Sequence, residues 1–136
     1  MPRMTAADID RFLIEHFPQA VGFCRITALG EDTIDVVVPY RDDYLRPGGT
    51  LSGPTLMTLA DTAMYFLVLA QLGPIGLAVT THLDINFLRK PPPADLHATA
   101  RLLKLGKSLA IGEVHIRSAD GTLVAQSSVT YSIPQS

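Results

Sequence analysis

The most unusual charged residue of this chain is Asp61, the only formal charge between Pro47 and Leu83. It stands in the run TLMTLADTAMYFLVLAQL, which has the composition of a buried helix. Removing a carboxylate from water costs several kcal/mol unless a partner offsets the loss, so acids inside such helices usually have a partner or a task. We interpret Asp61 as the chemical centre. The alternative is an acid that reaches solvent or caps a neighbouring loop.

The polar residues of this predicted helix recur at every third or fourth position and therefore share one face. A narrow polar stripe on an otherwise apolar helix predicts a lined crevice or a polar seam at an interface. Threonines alone carry less weight, because their hydroxyls often bond back to carbonyls of their own helix. The stripe consists of Thr55, Thr58, Asp61, Thr62 and Tyr65.

The start of the same helix offers a second chemical feature. Its first N–H groups lack partners within the helix and carry a partial positive charge, and Gly53 lets a ligand approach them closely. Such an end can hold an oxyanion or polarise a carbonyl, and together with Asp61 it suits acyl transfer. Asp61 lies about two turns, roughly 12 Å, along the helix from Gly53. Two subunits related by a two-fold axis could bring Gly53 of one near Asp61 of the other.

The elements that position these residues are predicted as a short helix, two strands, a long helix and four strands. Thr5 and Asp8 form a capping box for the first helix, Pro18 ends it, and Gly73 ends the long helix, which Ser52 caps. Hairpins are predicted at residues 30–32 and 120–121. The strands lie within residues 21–40 (two strands), 77–88, 96–105, 109–118 and 123–133.

This order predicts an α+β domain in which a largely antiparallel sheet of five to six strands wraps the long helix. We expect one domain over residues 1–136, with a helical segment at 1–18 and the core at 19–136. The apolar surplus suggests an interface in a homo-oligomer.

Composition excludes several classes of protein. Hydrophobic residues make up 47% and charged residues 18%, which argues against disorder, and the net charge of −2 gives no reason to expect nucleic acid. The apolar run at 63–72 is too short for a bilayer, no signal peptide is visible, and the single Cys24 suits a reducing cytoplasm. We expect Cys24 to be a small buried hydrophobe rather than a nucleophile. No metal is expected, since ligand spacing is absent among His16, His82, His97 and His115.

Basic residues outnumber acids between Ile85 and Arg117, in a chain that is acidic overall. Lysines beside Gly106 at a predicted strand turn suit an exposed phosphate, although an ordinary solvated turn gives the same pattern. The basic residues of this stretch are Arg89, Lys90, Arg101, Lys104, Lys107 and Arg117.

Three stretches together resemble a known family. They are GTLSGPTLMTLADTAMYF, then VTTHLDINFLRKP, then ARLLKLGKSLAIGEVHIRSADGTLVAQSSVTYSI, and the likeness spans residues 21–133. Their order and spacing resemble the hotdog-fold acyl-CoA thioesterases of the phenylacetate-type (PaaI-like) group. The resemblance implies a long helix wrapped by a sheet, an acyl-CoA substrate and no cofactor. It also implies sites at the interface of a dimer, with dimers that often pair into a dimer of dimers.

The resemblance also implies roles for individual residues. Asp61 matches the acid that activates water or attacks the thioester carbon, and the Gly53 N–H matches the donor to the thioester oxygen. Thr80 matches a small hydroxyl residue that helps to place water. Tyr65 is a candidate for shaping the acyl pocket. Positions matching those near coenzyme A are Arg89, Lys104, Lys107 and Ser108. Further candidates for substrate binding are Arg46, Pro54 and Gly106.

The chain departs from the family where the helix begins. The family usually has His before its glycine pair and Asn about six residues earlier, and this chain has Ser52 and Arg46 there. Ser52 is a partial substitute for the His that bonds the thioester carbonyl. These departures leave open a non-catalytic acyl-CoA binding protein. A hydratase of the same fold is a third hypothesis, although no His lies close to Asp61 in sequence.

Overall fold

The structure, a computed structural model, describes residues 2–74 and 78–134. The described residues form the predicted order of elements, with short 3₁₀ turns at Pro18–Ala20 and Asp42–Tyr44. The helices are α1 (Ala6–His16) and α2 (Gly53–Leu72). The strands are β1 (Arg25–Leu29), β2 (Thr33–Val38), β3 (Val79–Phe87), β4 (Leu96–Leu105), β5 (Leu109–Ser118) and β6 (Leu123–Ser132).

The six strands form one antiparallel sheet in the order β1-β2-β4-β5-β6-β3. Helix α2 packs against five of them, β2, β4, β5, β6 and β3. The predicted α+β architecture, one long helix against an antiparallel sheet, is therefore confirmed. Strand β3 follows α2 in the chain but joins the sheet at its far edge, beside β6.

Local signals fix the bounds of α2. The Ser52 side chain accepts a hydrogen bond from the Thr55 N–H at 3.3 Å, Pro54 occupies the first turn, and Gly73 ends the helix with a φ of 94°. By length and composition alone α2 is also long and apolar enough to cross a membrane, as core helices of this length can be. Most of its residues are buried against the sheet, as a core helix requires.

Helix α1 begins with the predicted capping box, in which Thr5 and Asp8 bond to each other's backbone N–H. It buries Ile9, Phe12 and Leu13 and packs against α2 and β1. The chain just before α1 donates to the Ala70 carbonyl near the end of α2. The N-terminal segment is therefore fixed along α2, the helix that carries Asp61.

Strand β3 is an edge strand with most of its residues exposed. Leu83 and Ile85 pack against the core as predicted, while Phe87, expected on the same side, is 51% exposed. The prediction began this strand at Leu77, which lies outside the described residues, and β3 begins at Val79. Its outer edge has no strand beside it among the described residues.

Candidate active site

Asp61 lies in the wall of a cavity of about 620 Å³. This volume falls within the ~300–1,000 Å³ typical of small-molecule sites. The predicted stripe contributes to the wall, except Thr55, which is buried and bonded to Ser52. The cavity is mostly apolar, with polar groups concentrated near Asp61. Its lining comprises Phe12, His16, Phe17, Gln19, Ala20, Phe23, Thr58, Asp61, Thr62, Tyr65, Ala78, Val79, Thr80 and Tyr131.

Two hydroxyls hold the Asp61 carboxylate. Thr80 Oγ1 donates to Asp61 Oδ1 at 2.6 Å, and the Tyr131 hydroxyl donates to the same oxygen at 2.8 Å. Thr80 and Tyr131 are partners in the β3–β6 register, so sheet pairing brings both hydroxyls to one place. No described group donates to Asp61 Oδ2. Asp61 is half-buried, so it is less desolvated than its apolar sequence context predicted.

Tyr131 bonds directly to Asp61, and the sequence did not predict it as a site residue. Its ring is 4% exposed and stacks on Tyr65 at 5.9 Å between centroids. Burial, and then the nearby Asp61 carboxylate, raise the pKa of Tyr131 far above its ordinary value. The available signal was its place two residues after Val129 on the inward face of a strand, because a buried Tyr hydroxyl usually has a partner.

Residues between Phe12 and Phe23 form another part of the wall of the Asp61 cavity, which the sequence did not predict. Phe12, Phe17 and Phe23 line it, and Phe17 meets Tyr65 edge to face at 6.0 Å. His16 lines the same cavity, although it is 45 residues away in sequence from Asp61. The His16 side chain is 61% exposed and has no hydrogen bond to Asp61. The carboxylate therefore faces a chamber suited to an apolar group.

The start of α2 has one free donor. Pro54 has no N–H, and the Thr55 N–H is bonded to Ser52 Oγ. No described group accepts from the Gly53 N–H, so this group remains to bind an oxyanion. Ser52 Oγ also lies 2.8 Å from Thr55 Oγ1. The Ser52 hydroxyl is thus engaged in the helix cap.

Gly53 and Asp61 lie in different cavities. Gly53 and Pro54 line a second cavity of about 440 Å³ together with Arg46 and Arg89. The Phe87 ring lies 3.4 Å from the point where a Gly53 Cβ would stand. Within one chain the Gly53 N–H and the Asp61 carboxylate therefore do not meet, as their spacing along the helix predicted.

The predicted phosphate-binding residues fall into two groups. Ser108 lies beside Ile133, and Arg89 lies beside Val124. Val124 lies in β6 and Ile133 directly follows it, so the two positions are nine residues apart, or about 30 Å in a strand. Arg46 and Arg89 therefore line one cavity, and the remaining candidates lie together near the β4–β5 turn, away from it. These are Lys104, Gly106, Lys107 and Ser108.

Other candidates from the sequence have structural roles or lie on the surface. Burial raises the pKa of the Cys24 thiol to about 12, and this agrees with a packing role rather than a nucleophilic one. His82 and Asp84 form an exposed pair at 3.0 Å. Within residues 2–74 and 78–134, no His, Cys, Asp and Glu side chains group as metal ligands would.

Comparison with known proteins places this geometry in a family. Residues 48–125 match the thioesterase superfamily. A crystal structure of a protein proposed to be a thioesterase, from Silicibacter sp. TM1040, is 43% identical over 99% of this chain and 95% of that one, with a TM-score of 0.90. The E. coli PaaI protein, from the phenylacetic acid degradation operon, is 23% identical over 92% of this chain and 90% of that one, with a TM-score of 0.80. A protein proposed to be an esterase, from Thermoplasma acidophilum, is 24% identical over 90% of this chain and 91% of its own.

The chain has the hotdog fold, and the protein is of the thioester hydrolase class. The chain belongs to the thioesterase superfamily. The predicted PaaI-like resemblance is confirmed. The comparisons give no support to the alternative of a non-catalytic binding protein.

Proposed function

We propose that this protein hydrolyses acyl-CoA thioesters with Asp61 as the reacting carboxylate. The observation that carries the proposal is the Asp61 carboxylate, held by two hydroxyls in the wall of an apolar cavity. The acyl group would occupy this cavity, whose lining has no Lys or Arg to attract phosphates. The thioester carbonyl would then lie beside the carboxylate.

The reaction needs a base or nucleophile and a donor to the oxyanion. Asp61 takes a proton from water as the water attacks the carbonyl carbon, or attacks that carbon itself to give an anhydride that water then opens. The Gly53 N–H stabilises the oxyanion that forms. The C–S bond breaks, the coenzyme A thiolate leaves and takes up a proton, and the carboxylic acid is the second product.

A second copy of the chain completes this site in our proposal. Gly53 and Asp61 lie in different cavities, and β3 has an unpaired edge that includes exposed Val79 and Phe87. A long unpaired edge is a surface on which another strand can pair. A two-fold dimer through this edge lets each site take Asp61 from one subunit and Gly53 from the other.

Coenzyme A would be recognised by basic residues outside the acyl cavity. Arg46 and Arg89 lie with Gly53 in the second cavity, where a donor to phosphate is available close to the oxyanion site. Lys104 and Lys107 at the β4–β5 turn supply further positive charge. A coenzyme A substrate and a single half-buried Cys24 both suit a reducing cytoplasm.

The first test is thiol release from short, medium, long and aryl acyl-CoA esters. The same acyl groups are offered as N-acetylcysteamine thioesters, which lack the phosphates. We expect release from the CoA esters with a lower KM, and Arg89→Gln should raise KM for these esters alone. Equal KM values for both series would contradict coenzyme A recognition, and no release from any ester would contradict hydrolysis.

Subunit complementation tests the composite site. Asp61→Asn removes the carboxylate, and Gly53→Pro removes the N–H at a position whose preceding residue, Ser52, already has the extended backbone that proline prefers. Each variant alone should be inactive while melting cooperatively. Coexpression in equal amounts should restore about a quarter of the wild-type activity, since half the dimers then hold one intact site. If the coexpressed variants are inactive, the Asp61 carboxylate and the Gly53 N–H act together within one subunit.

A further inference from the structure

The two oxygens of the Asp61 carboxylate have different surroundings. Thr80 and Tyr131 both donate to Oδ1, at 2.6 and 2.8 Å. No described group donates to Oδ2. The carboxylate is thus anchored through one oxygen, and the other is left for a ligand or water in the cavity.

Tyr131 is held more firmly than Thr80. Its ring is buried, stacks on Tyr65, and lies on β6 between two paired strands, whereas Thr80 lies near the start of an exposed edge strand. The Tyr131 hydroxyl also lies 3.2 Å from the Asp61 backbone carbonyl. The phenol therefore fixes the side chain of Asp61 relative to its own helix.

The phenol also keeps its proton. Burial, together with the carboxylate beside it, raises the pKa of Tyr131 far above that of an ordinary tyrosine. At neutral pH the phenol is therefore a hydrogen-bond donor, as a group that holds the carboxylate in place must be.

We propose that Tyr131 is a positioning residue that, with Thr80, anchors Asp61 Oδ1 and leaves Oδ2 as the oxygen that reacts with water or the thioester. This inference rests on the proposed function, in which Asp61 is the reacting carboxylate. Without the phenol, the carboxylate can rotate about its side-chain bonds and spends less time aligned with the thioester.

The test compares Tyr131→Phe with the wild type in thiol release from the best acyl-CoA ester. Tyr40→Phe is the matched control, because it also removes a hydroxyl that donates to an aspartate, Asp42 at 2.6 Å, but it lines none of the cavities described above. We expect kcat to fall by roughly 10- to 100-fold for Tyr131→Phe, the range for one hydrogen bond to a charged group. KM, and affinity for a non-hydrolysable thioether analogue, should stay within about twofold.

A merely structural role predicts a different pattern. It would lower the melting temperature, and weaken binding of the thioether analogue as much as it lowers kcat. Tyr131→Phe with wild-type kcat, in an enzyme that Asp61→Asn inactivates, overturns this inference alone. A wild type that releases no thiol overturns the proposed function and the inference with it.

Thr80 keeps the inference testable if Tyr131→Phe does not fold. Thr80→Val removes the second hydroxyl donor while keeping the shape of the side chain, and Thr80→Ser restores the donor. We expect Thr80→Val to lower kcat at constant KM and Thr80→Ser to recover most of the loss. Equal kcat values for Thr80→Val and Thr80→Ser would show that anchoring of Oδ1 has no part in the reaction.

Discussion

The position of the Asp61 helix depends on a close approach between α2 and the sheet at Gly112. A Cβ at Gly112 would lie 2.5 Å from Met64 Sδ, 2.8 Å from Met64 Cε and 2.9 Å from the Arg101 carbonyl oxygen. Met64 is fully buried and lies three residues after Asp61 on α2. We therefore predict that Gly112→Ala pushes α2 away from β5 and disturbs both stability and catalysis.

The sizes of the expected losses in stability and kcat follow from these distances. The new methyl would lie about 0.9 Å too close to Met64, because ordinary contact begins near 3.4 Å. The Met64 side chain can give way, but the Arg101 carbonyl belongs to the paired strand β4 and cannot move cheaply. Overpacking of this kind costs about 1–3 kcal/mol, or a fall in Tm of roughly 5–10 °C for a domain of this size. A helix shift approaching 1 Å at Asp61 can lower kcat by up to about 100-fold.

The assay is thermal and urea unfolding of Gly112→Ala, Met64→Ala and the double variant, with kcat measured on each. Met64→Ala alone should lose about 2–5 kcal/mol by leaving a cavity. The loss of unfolding free energy in the double variant should be smaller than the sum of the two single losses by about 1 kcal/mol or more. The reason is that the new methyl enters the space that Met64 vacates. An unchanged Tm for Gly112→Ala, or strictly additive losses, would show that α2 does not depend on a close approach at Gly112.

Three further predictions concern Thr5, Asp8 and Cys24. Thr5→Ala should lower the free energy of unfolding by about 1 kcal/mol in urea titrations, because it removes a helix cap; an unchanged midpoint would contradict that role. Hydrogen bonds from Thr5 lower the pKa of Asp8 in the folded chain. The ionised carboxylate therefore stabilises the fold above the ordinary pKa of 3.8, and this stabilisation is lost as the pH falls through the lower pKa of the folded chain. Asp8→Asn should therefore destabilise at pH 7 but not in strong acid, and a loss that persists there would contradict this. Burial raises the pKa of Cys24 to about 12, so iodoacetamide at pH 8 should label the folded chain far more slowly than the unfolded one; equal rates would contradict the burial.

The sequence predicted features that depend on local interactions. The Thr5–Asp8 capping box, the Ser52 cap, the hairpin at residues 30–32 and the end of α2 at Gly73 all depend on residues within a few positions of one another. The separation of Gly53 from Asp61 was equally predictable, because helical rise alone sets it.

Features that depend on long-range pairing were not predicted. The partnership of β3 with β6 brings Thr80 and Tyr131 together from 51 positions apart, and no periodicity within either strand indicates that register. The same limit applies to His16 and Phe17, which reach the Asp61 cavity only because α1 packs on α2. Burial of Asp61 was overestimated because its apolar helix neighbours do not show that a cavity opens beside it.

In our proposal, thioester hydrolysis depends on the Asp61 carboxylate. The most direct measurement is thiol release from the acyl-CoA series by wild type, Asp61→Asn and Asp10→Asn, the last being an exposed acid on α1. The Asn amide oxygen can still accept from Thr80 and Tyr131, so Asp61→Asn should melt like the wild type. We predict that it loses about 10²–10⁴-fold in kcat while Asp10→Asn loses none. Turnover by a folded Asp61→Asn protein at the wild-type rate would show that Asp61 is not the reacting carboxylate.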